Sequence, residues 1–225
     1  WRTDILMTEK CTLDCTFCNM YMPHYKNAKH RDLNEIKSDI SIYFKKIDYV
    51  SVLHMVGGET LMYPHFREAL DYIGKNFRNK IGHLLISTNG TVVPKEETLN
   101  LIKKYSGLVY VSDYTDGINY KRKLNQVIES IKKYKINHLI RKDISWIDFG
   151  DPNVEKFHSV EEQIAHFDSC TAPFRGLNNS KYYYCHLNTS AVLAGITPEN
   201  ENDYISLNEG TKSEEILKFD LGFSK

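Results

Sequence analysis

Several signals of common protein classes are absent from this 225-residue sequence. No apolar run approaches the roughly 20 residues that cross a bilayer, which excludes a transmembrane helix. Lys plus Arg and Asp plus Glu both number 29, so no net charge attracts the chain to nucleic acid. A hydrophobic content of 41% excludes the composition of a disordered chain. Internal repeats and low-complexity tracts are also missing.

The usual signals of secretion and of nucleophilic hydrolysis are missing as well. No signal or transit peptide is present, so we expect a cytoplasmic protein, and we expect this sequence to be a truncated piece of a longer one. The five cysteines are odd in number and clustered, which fits a disulfide framework poorly. No Ser-His-Asp arrangement occurs in a recognisable motif. The cysteines themselves are therefore the first candidates for chemistry.

Cys11, Cys15 and Cys18 lie within eight residues in the spacing C-x3-C-x2-C. Three thiolates on one short loop can hold three corners of a cubane iron–sulfur cluster. One iron then lacks a protein ligand and can chelate a small molecule. The alternative is a structural zinc site that adds His24 or His30 to the three thiolates, although zinc sites usually contain paired C-x2-C units.

The cysteine loop lies between a predicted strand and a predicted helix. Ile5-Leu6-Met7 is a short apolar run, and apolar residues recur at helical spacing from Leu33 to Phe44. The alternation continues, with strands predicted near 49–55, 81–88, 107–113 and 136–147 and helices near 64–77, 95–105, 119–133 and 159–167. This order predicts a parallel α/β sheet whose functional site lies at the C-terminal ends of the strands.

Further short motifs follow the predicted strands. Val56-Gly57-Gly58-Glu59-Thr60 follows the second strand, Ser87-Thr88-Asn89-Gly90 follows the third, and the fourth ends at Ser112-Asp113. The cysteine loop also carries an aromatic residue, Phe17, before its last cysteine. With these elements in this order over residues 4–147, the sequence resembles the radical S-adenosylmethionine (SAM) enzymes.

The resemblance implies a fold and a chemistry. The fold would be a partial (β/α)6 barrel of parallel strands, with a [4Fe–4S] cluster on Cys11, Cys15 and Cys18. SAM would chelate the open iron through its amino nitrogen and carboxylate. Reductive cleavage of SAM would produce a 5′-deoxyadenosyl radical that abstracts hydrogen from the substrate. A reductant such as flavodoxin or ferredoxin is the implied partner.

The same resemblance suggests which residues contact SAM. Gly57 and Gly58 lack side chains, so the backbone can approach the ligand closely. Glu59 would offer its carboxylate to the SAM ammonium or a ribose hydroxyl, and a tight turn with a surface glutamate is the alternative. The other expected contacts are Phe17 beside the adenine, Ser87 and Asn89 at the ribose or carboxylate, and Ser112 at the carboxylate. Loop packing is the alternative for Phe17, and a simple Asn-Gly turn is the alternative for Ser87 and Asn89.

The pattern changes after a breaker cluster at residues 150–153, so we expect a radical SAM core over 1–150 and an extension over 151–225. Cys170 and Cys185 resemble the opening of a SPASM or twitch extension, C-x(9–15)-G-x4-C, with Ser180 in place of the glycine. Such an extension would hold an auxiliary [4Fe–4S] cluster. No cysteine follows Cys185, so that ligand set is incomplete, and two structural cysteines or a disulfide are the alternatives.

The sequence says less about the identity of the substrate. The twitch-type resemblance favours a small polar substrate, similar to a sugar or aminocyclitol, that is oxidised or epimerised. Modification of a peptide or protein is the second hypothesis. Tyr21, Tyr114 and Arg141 are the candidate residues at the substrate, with packing or a surface salt bridge as the alternative. Two rival classes are a zinc-stabilised binding module and an electron carrier without catalysis.

Overall fold

The structure, a computed structural model, describes residues 2–142, 159–170 and 174–222. The strands are β1 (Arg2–Thr8), β2 (Val50–Gly57), β3 (Ile81–Thr88), β4 (Leu108–Asp113), β5 (His138–Lys142), β6 (Phe174–Asn178), β7 (Lys181–Tyr183) and β8 (Tyr204–Ser206). The helices are α1 (Leu33–Lys46), α2 (Phe66–Phe77), α3 (Glu96–Lys104), α4 (Lys121–Lys133), α5 (Val160–Ser169), α6 (His186–Leu193) and α7 (Ser213–Asp220). Over these residues, no helix combines the length and the apolar character that crossing a membrane requires.

The eight described strands form one sheet in the order β5-β4-β3-β2-β1-β6-β7-β8. Strands β1 to β6 pair in parallel, and β7 and β8 pair antiparallel at one edge. The sixth parallel strand lies beside β1 and not beside β5, so the chain returns to the start of the sheet. The predicted α/β class is confirmed, and an open, mostly parallel sheet agrees with the predicted partial barrel.

One face of the sheet packs against helices α1 to α4. The α1 helix begins after Asp32, whose side chain accepts the N–H of residue 34 at 2.8 Å and caps the helix. Ile36 and Ile40 lie four residues apart on its buried side. Val109 and Val111, at alternate positions of β4, belong to the same hydrophobic core. The apolar residues at helical spacing on α1 and those at alternate positions of β4 therefore pack in the same hydrophobic core.

The opposite face of the sheet is polar, and we call it the inner face. Residues paired across parallel strands share a face, and the next residue along each strand points the other way. The inner face is defined here by Asp4 beside His54, Ser87 beside Tyr110, and Ser112 beside Arg141.

The C-terminal residues cover one end of the inner face. A Cβ placed on Gly176 of β6 would lie 2.5 Å from the Thr189 Oγ1 atom and 3.2 Å from the His186 Cα atom, so α6 packs directly on this strand. On the other face of β6, Arg175 Nε donates to Asp220 Oδ1 of α7 at 2.6 Å. The expected boundary between residues 150 and 151, and the end of the predicted fifth strand, lie outside the described residues.

A two-residue turn joins β6 to β7. Asn179 and Ser180 have φ angles of 51° and 55°, the left-handed conformation that a tight hairpin turn of type I′ requires. Ser180 donates its N–H to Asp39 Oδ1 at 2.6 Å, and Asp39 is buried. The turn therefore forms with serine at the position where the resemblance expected glycine.

Candidate active site

The cysteine segment belongs to a loop that leaves the end of β1 and returns to it. Thr8 and His30 form an antiparallel bridge, and the Thr8 Oγ1 and His30 Nδ1 atoms are 2.8 Å apart. The Glu9 N–H donates to the Lys29 carbonyl at 2.9 Å, and the Lys29 N–H donates to Glu9 Oε2 at 3.0 Å. These bonds close the base of the loop, so the cysteine segment starts from a fixed point at the C-terminal edge of the sheet.

The two glycines after β2 make room for this loop. A Cβ on Gly57 would lie 2.6 Å from the Thr8 carbonyl oxygen. A Cβ on Gly58 would clash with the Lys10 carbonyl oxygen and lie 2.7 Å from the Cys11 Cβ atom. The absent side chains therefore allow a close approach of backbone to backbone. The predicted approach of these glycines to SAM stays a prediction.

Glu59 is fully buried, so the alternative of a surface glutamate is wrong. Its Oε1 atom accepts the Leu61 N–H at 3.0 Å and the Thr88 hydroxyl at 2.9 Å, and its Oε2 atom accepts the Asn89 N–H at 2.7 Å. Burial raises the pKa of Glu59 to about 7, against the opposing effect of these donors. The carboxylate thus ties the end of β2 to the end of β3, and its contact with SAM stays a prediction.

Asn89 connects the end of β3 to the cysteine loop. Its Nδ2 atom donates to Thr12 Oγ1 at 3.0 Å and lies 3.5 Å from the Cys11 Sγ atom. Its Oδ1 atom accepts the Thr91 N–H at 3.0 Å. The Leu13 N–H points at the same Cys11 sulfur over 3.4 Å. Amide donors aimed at a sulfur stabilise a thiolate, which is the form that binds iron.

The three thiols share one half-buried environment. Burial raises the pKa of all three thiols, and the pKa of Cys15 reaches about 11. The Cys18 thiol raises the pKa of Cys11 further, and the Cys11 and Cys18 thiols together raise that of Cys15. Backbone N–H groups of residues 20–22 act in the opposite direction on Cys18. A bound metal centre supplies the positive charge that thiolates need in such a setting. This all-sulfur donor set with N–H donors fits an iron–sulfur cluster.

The zinc alternative fits this geometry poorly. Within the described part of the chain, no three His, Cys, Asp or Glu side chains converge on a point where one metal ion could bind. A tetrahedral zinc needs such convergence, whereas a cubane cluster offers a separate iron to each thiolate.

Two other predicted residues lie on the cysteine loop itself. Phe17 has 59% of its surface exposed, so it does not pack in the core of the loop. Tyr21 adopts a left-handed conformation with φ of 56°, and its N–H donates to the Cys18 carbonyl at 2.8 Å. Its ring makes an edge contact with His24. The roles of Phe17 at the adenine and of Tyr21 at the substrate stay predictions.

The remaining predicted residues belong to β4, to β5 and to the connection after β4. Ser112 is half-buried on the inner face. Arg141 pairs with it across the strands, is exposed, and places its Nη1 atom 3.5 Å from the Tyr110 hydroxyl. Tyr114 packs against the hydrophobic core, and its N–H donates to the Tyr120 hydroxyl at 2.9 Å. The inner face therefore brings Ser112 and Arg141 together, whereas Tyr114 packs against the core.

Our sequence reasoning missed a polar chain that crosses the inner face. Arg2 Nε donates to Asp4 Oδ1 at 2.6 Å, and Arg2 Nη2 donates to His54 Nδ1 at 2.6 Å. His54 Nε2 lies 2.6 Å from Ser87 Oγ. Asp4 directly precedes the apolar run Ile5-Leu6-Met7, and His54 interrupts an apolar run from Val52 to Val56, and this is the signal that could have revealed them.

The C-terminal cysteines lie in a different setting. Cys170 is exposed at the end of α5, and Cys185 is half-buried just before α6. Burial raises the pKa of Cys185, and the thiol of Cys170 is close enough to add to this effect. All five cysteines, each in the described part, are free thiols. The next residue, His186, has its Nε2 atom 2.9 Å from Met20 Sδ, so α6 contacts the cysteine loop.

Comparison with known proteins supports the resemblance. A sequence model of the Radical SAM superfamily matches residues 5–152, more than half of the chain, and the protein therefore belongs to this superfamily. It is 29% identical over 114 residues to the antilisterial bacteriocin subtilosin biosynthesis protein AlbA of Bacillus subtilis (strain 168). That match covers 50% of this chain and 23% of AlbA, so the chain spans less than a quarter of its relative.

Two solved structures share the fold. BtrN in complex with AdoMet and 2-DOIA superposes with a TM-score of 0.55 at 14% identity, over 84% of this chain and 74% of BtrN. Native anSMEcpe with bound AdoMet superposes with a TM-score of 0.51 at 20% identity, over 62% of this chain and 43% of anSMEcpe. At these identities the similarity establishes the architecture alone.

Proposed function

We propose that this radical SAM enzyme binds a [4Fe–4S] cluster through Cys11, Cys15 and Cys18 and cleaves SAM reductively. The observation that carries the proposal is the fixed position of the cysteine loop, which Gly58 and Asn89 hold against the ends of β2 and β3. When bound, the cluster supplies the electron that splits SAM into methionine and the 5′-deoxyadenosyl radical that abstracts hydrogen.

The chain's own residues would bind and orient SAM. Amide donors near Cys11 stabilise its thiolate, and the glycines keep the loop close to the sheet. Phe17 exposes most of its ring and is available to cover the adenine. Ser112 stands on the inner face, where it can meet a polar group of SAM. An electron donor such as flavodoxin or ferredoxin belongs to the proposal.

The test is reconstitution with iron and sulfide under anaerobic conditions, followed by dithionite and SAM. The proposal predicts a brown protein that forms 5′-deoxyadenosine. A brown protein that forms none would be an electron carrier, and a colourless zinc protein would be a binding module. Either result would overturn the proposed activity.

For the substrate, the proposal is a small polar molecule similar to a sugar or aminocyclitol, oxidised or epimerised after hydrogen abstraction. Its support is the exposed polar end of the inner face, where Ser112, Tyr110 and Arg141 offer two hydroxyls and a cation. Incubation with candidate polyols should consume SAM and give an oxidised or inverted product. Deoxyadenosine without any product from every polyol tested would contradict this substrate class.

A peptide or protein substrate is the second candidate, and one specific observation favours it. The relative AlbA is a bacteriocin biosynthesis protein, and its match covers half of this chain. The discriminating experiment offers polyols and unstructured peptides to the same reconstituted protein. Transfer of deuterium from the substrate into 5′-deoxyadenosine identifies the class whose C–H bond is attacked.

We further propose that residues 151–225 form a SPASM or twitch-like extension of the core over 1–150, with Cys170 and Cys185 as ligands of an auxiliary cluster. Support comes from their spacing, from the electrostatic effect of Cys170 on Cys185 and from the tight turn at Ser180. About eight irons per chain in a longer form of the protein would support the extension, and about four would contradict it. The cytoplasmic location stays a prediction.

A further inference from the structure

The hydroxyl group of Ser87 has an unusual position on the inner face. It is half-buried, and its one hydrogen-bond partner among the described residues is His54 Nε2 at 2.6 Å. A serine hydroxyl donates one hydrogen and accepts others. Whether Ser87 offers a donor or an acceptor to a ligand therefore depends on which ring nitrogen of His54 carries hydrogen.

The neighbours of His54 decide this question. Arg2 Nη2 lies 2.6 Å from His54 Nδ1, and a guanidinium can only donate. Nδ1 must therefore accept, while the carboxylate oxygen Asp4 Oδ1 lies farther away, at 3.4 Å. Burial also lowers the pKa of His54, which favours the neutral ring. In a neutral imidazole that accepts at Nδ1, the hydrogen is on Nε2.

The Arg2 guanidinium that imposes this arrangement is itself held in place. Two of its nitrogens contact Asp4, with Nε–Oδ1 and Nη2–Oδ2 distances of 2.6 and 2.7 Å. Its planar group also lies 4.1 Å above the centre of the Phe174 ring on β6. Asp4 is 1% exposed, and its two oxygens accept these short hydrogen bonds. Arg2 therefore cannot turn away from His54 without breaking both of its hydrogen bonds to this buried carboxylate.

Because His54 donates to Ser87, the hydrogen of the Ser87 hydroxyl remains available to another acceptor. We propose that His54 is a positioning residue, which Arg2 fixes in the Nε2–H tautomer so that Ser87 donates a hydrogen bond to an acceptor atom of SAM. This inference rests on the proposed SAM-binding function, and it adds the direction of the hydrogen bond and the residues that impose it.

The position of Ser87 along β3 agrees with this role. Asn89, two residues farther on, reaches the Cys11 sulfur at 3.5 Å. Two residues of extended chain span roughly 7 Å. A SAM molecule is longer than this span, so one bound at the cysteine loop can reach Ser87.

The test is equilibrium dialysis of radiolabelled SAM against the reconstituted [4Fe–4S] protein, with iron content measured for every variant. Ser87→Ala should weaken SAM binding about three- to tenfold, the effect of one neutral hydrogen bond. Ser87→Thr keeps the hydroxyl and should bind nearly as the wild type does. His54→Gln retains an amide donor close to the Nε2 position and should also bind SAM well. His54→Asn lacks that donor and should lose as much affinity as Ser87→Ala.

The double variant His54→Asn/Ser87→Ala separates positioning from a general structural effect. If His54 acts through Ser87, the double variant binds SAM no more weakly than Ser87→Ala alone. Losses that multiply, or a Ser87→Ala variant that binds like the wild type, would overturn the inference while leaving the proposed function standing. A wild-type protein that binds no SAM would overturn both.

Discussion

The two groups of cysteines differ in how the fold holds them. The first group lies on a loop closed at its base and tied to the ends of β1, β2 and β3 by backbone and side-chain hydrogen bonds. In the second group, Cys170 ends a helix whose residues are all exposed, Val160, Ile164 and Phe167 among them. Only Cys185 is partly enclosed.

This contrast teaches that spacing and support are separate requirements of a metal site. The N-terminal loop has three thiols in one place and amide donors directed at Cys11 and Cys18. The C-terminal region supplies two thiols, and no cysteine follows Cys185 in the sequence. The first group therefore has the support that the proposed cluster requires, whereas a cluster at the second would need ligands beyond these two cysteines.

The largest expected difference between the two groups concerns SAM cleavage. Cys15→Ala removes one of three cluster ligands and should abolish both the absorbance near ~400 nm and the formation of 5′-deoxyadenosine. Cys185→Ala should leave 5′-deoxyadenosine formation detectable, because the first cluster does not use that thiol. Both variants are assayed by chromatography after dithionite reduction. Loss of SAM cleavage in Cys185→Ala would break the distinction between the groups.

The second prediction tests how the loop is supported. Gly58→Val places side-chain atoms where the Lys10 carbonyl and the Cys11 Cβ now lie, so the loop must move and iron content should fall severalfold. The matched control is Gly117→Val, because a Cβ at Gly117 would have its nearest neighbour at 4.0 Å. Iron is measured per chain after reconstitution. Normal iron in Gly58→Val with weaker SAM binding would show that this glycine faces the ligand instead.

The third prediction concerns Glu59, which joins β2 to β3 beneath the loop. Its pKa rises from 4.5 to about 7 on folding, so the folded state holds the proton more tightly than the unfolded state does. The resulting stabilisation is complete below pH 4.5 and is lost as the pH rises through 7, by roughly 3 kcal/mol. A glutamine cannot ionise, so the Glu59→Gln variant should lose this part of the dependence of the unfolding free energy on pH.

Urea unfolding of both cluster-free proteins between pH 5 and 8 measures the slopes. The Glu59→Gln substitution is expected to lower stability throughout, since the new amide nitrogen would face a backbone N–H in place of a carboxylate oxygen. Equal slopes in the two proteins would contradict the assigned origin of the pH dependence.

The smallest expected effect belongs to the C-terminal region. Ser180→Gly removes the cost of a left-handed serine but gives the unfolded chain more freedom, so stability should change by less than about 1 kcal/mol. Ser180→Val should lose about 2 kcal/mol, because a β-branched residue resists this conformation. Urea unfolding compares the two variants. Equal stability of the valine and glycine variants would show that the turn is not left-handed at this position.

Much of this fold follows from local sequence patterns. The predicted strand near 81–88 and helix near 119–133 correspond to β3 and α4 because alternation and helical spacing are properties of short segments. The cysteine loop and the Gly-Gly-Glu turn were found by spacing for the same reason. The pairing of β6 with β1 was not foreseen, because residues about 170 positions apart in sequence leave no mark on a local pattern.

Within the candidate site, too, local sequence patterns did not predict the contacts between distant residues. Gly58 was expected to make room for SAM, but its nearest neighbour is the cysteine loop, which only the folded arrangement reveals. The chain from Arg2 through His54 to Ser87 joins three strand residues far apart in sequence. Each is an ordinary polar residue until the sheet places them side by side. Local chemistry was therefore predictable, and the hydrogen-bond partners were not.

The most direct measurement is the electron paramagnetic resonance spectrum of the reduced, reconstituted protein before and after addition of SAM. If Cys11, Cys15 and Cys18 hold a [4Fe–4S] cluster with one open iron, the reduced-cluster signal should shift when SAM binds, and 5′-deoxyadenosine should accumulate. A cluster signal that SAM leaves unchanged, with no 5′-deoxyadenosine formed, would contradict the account.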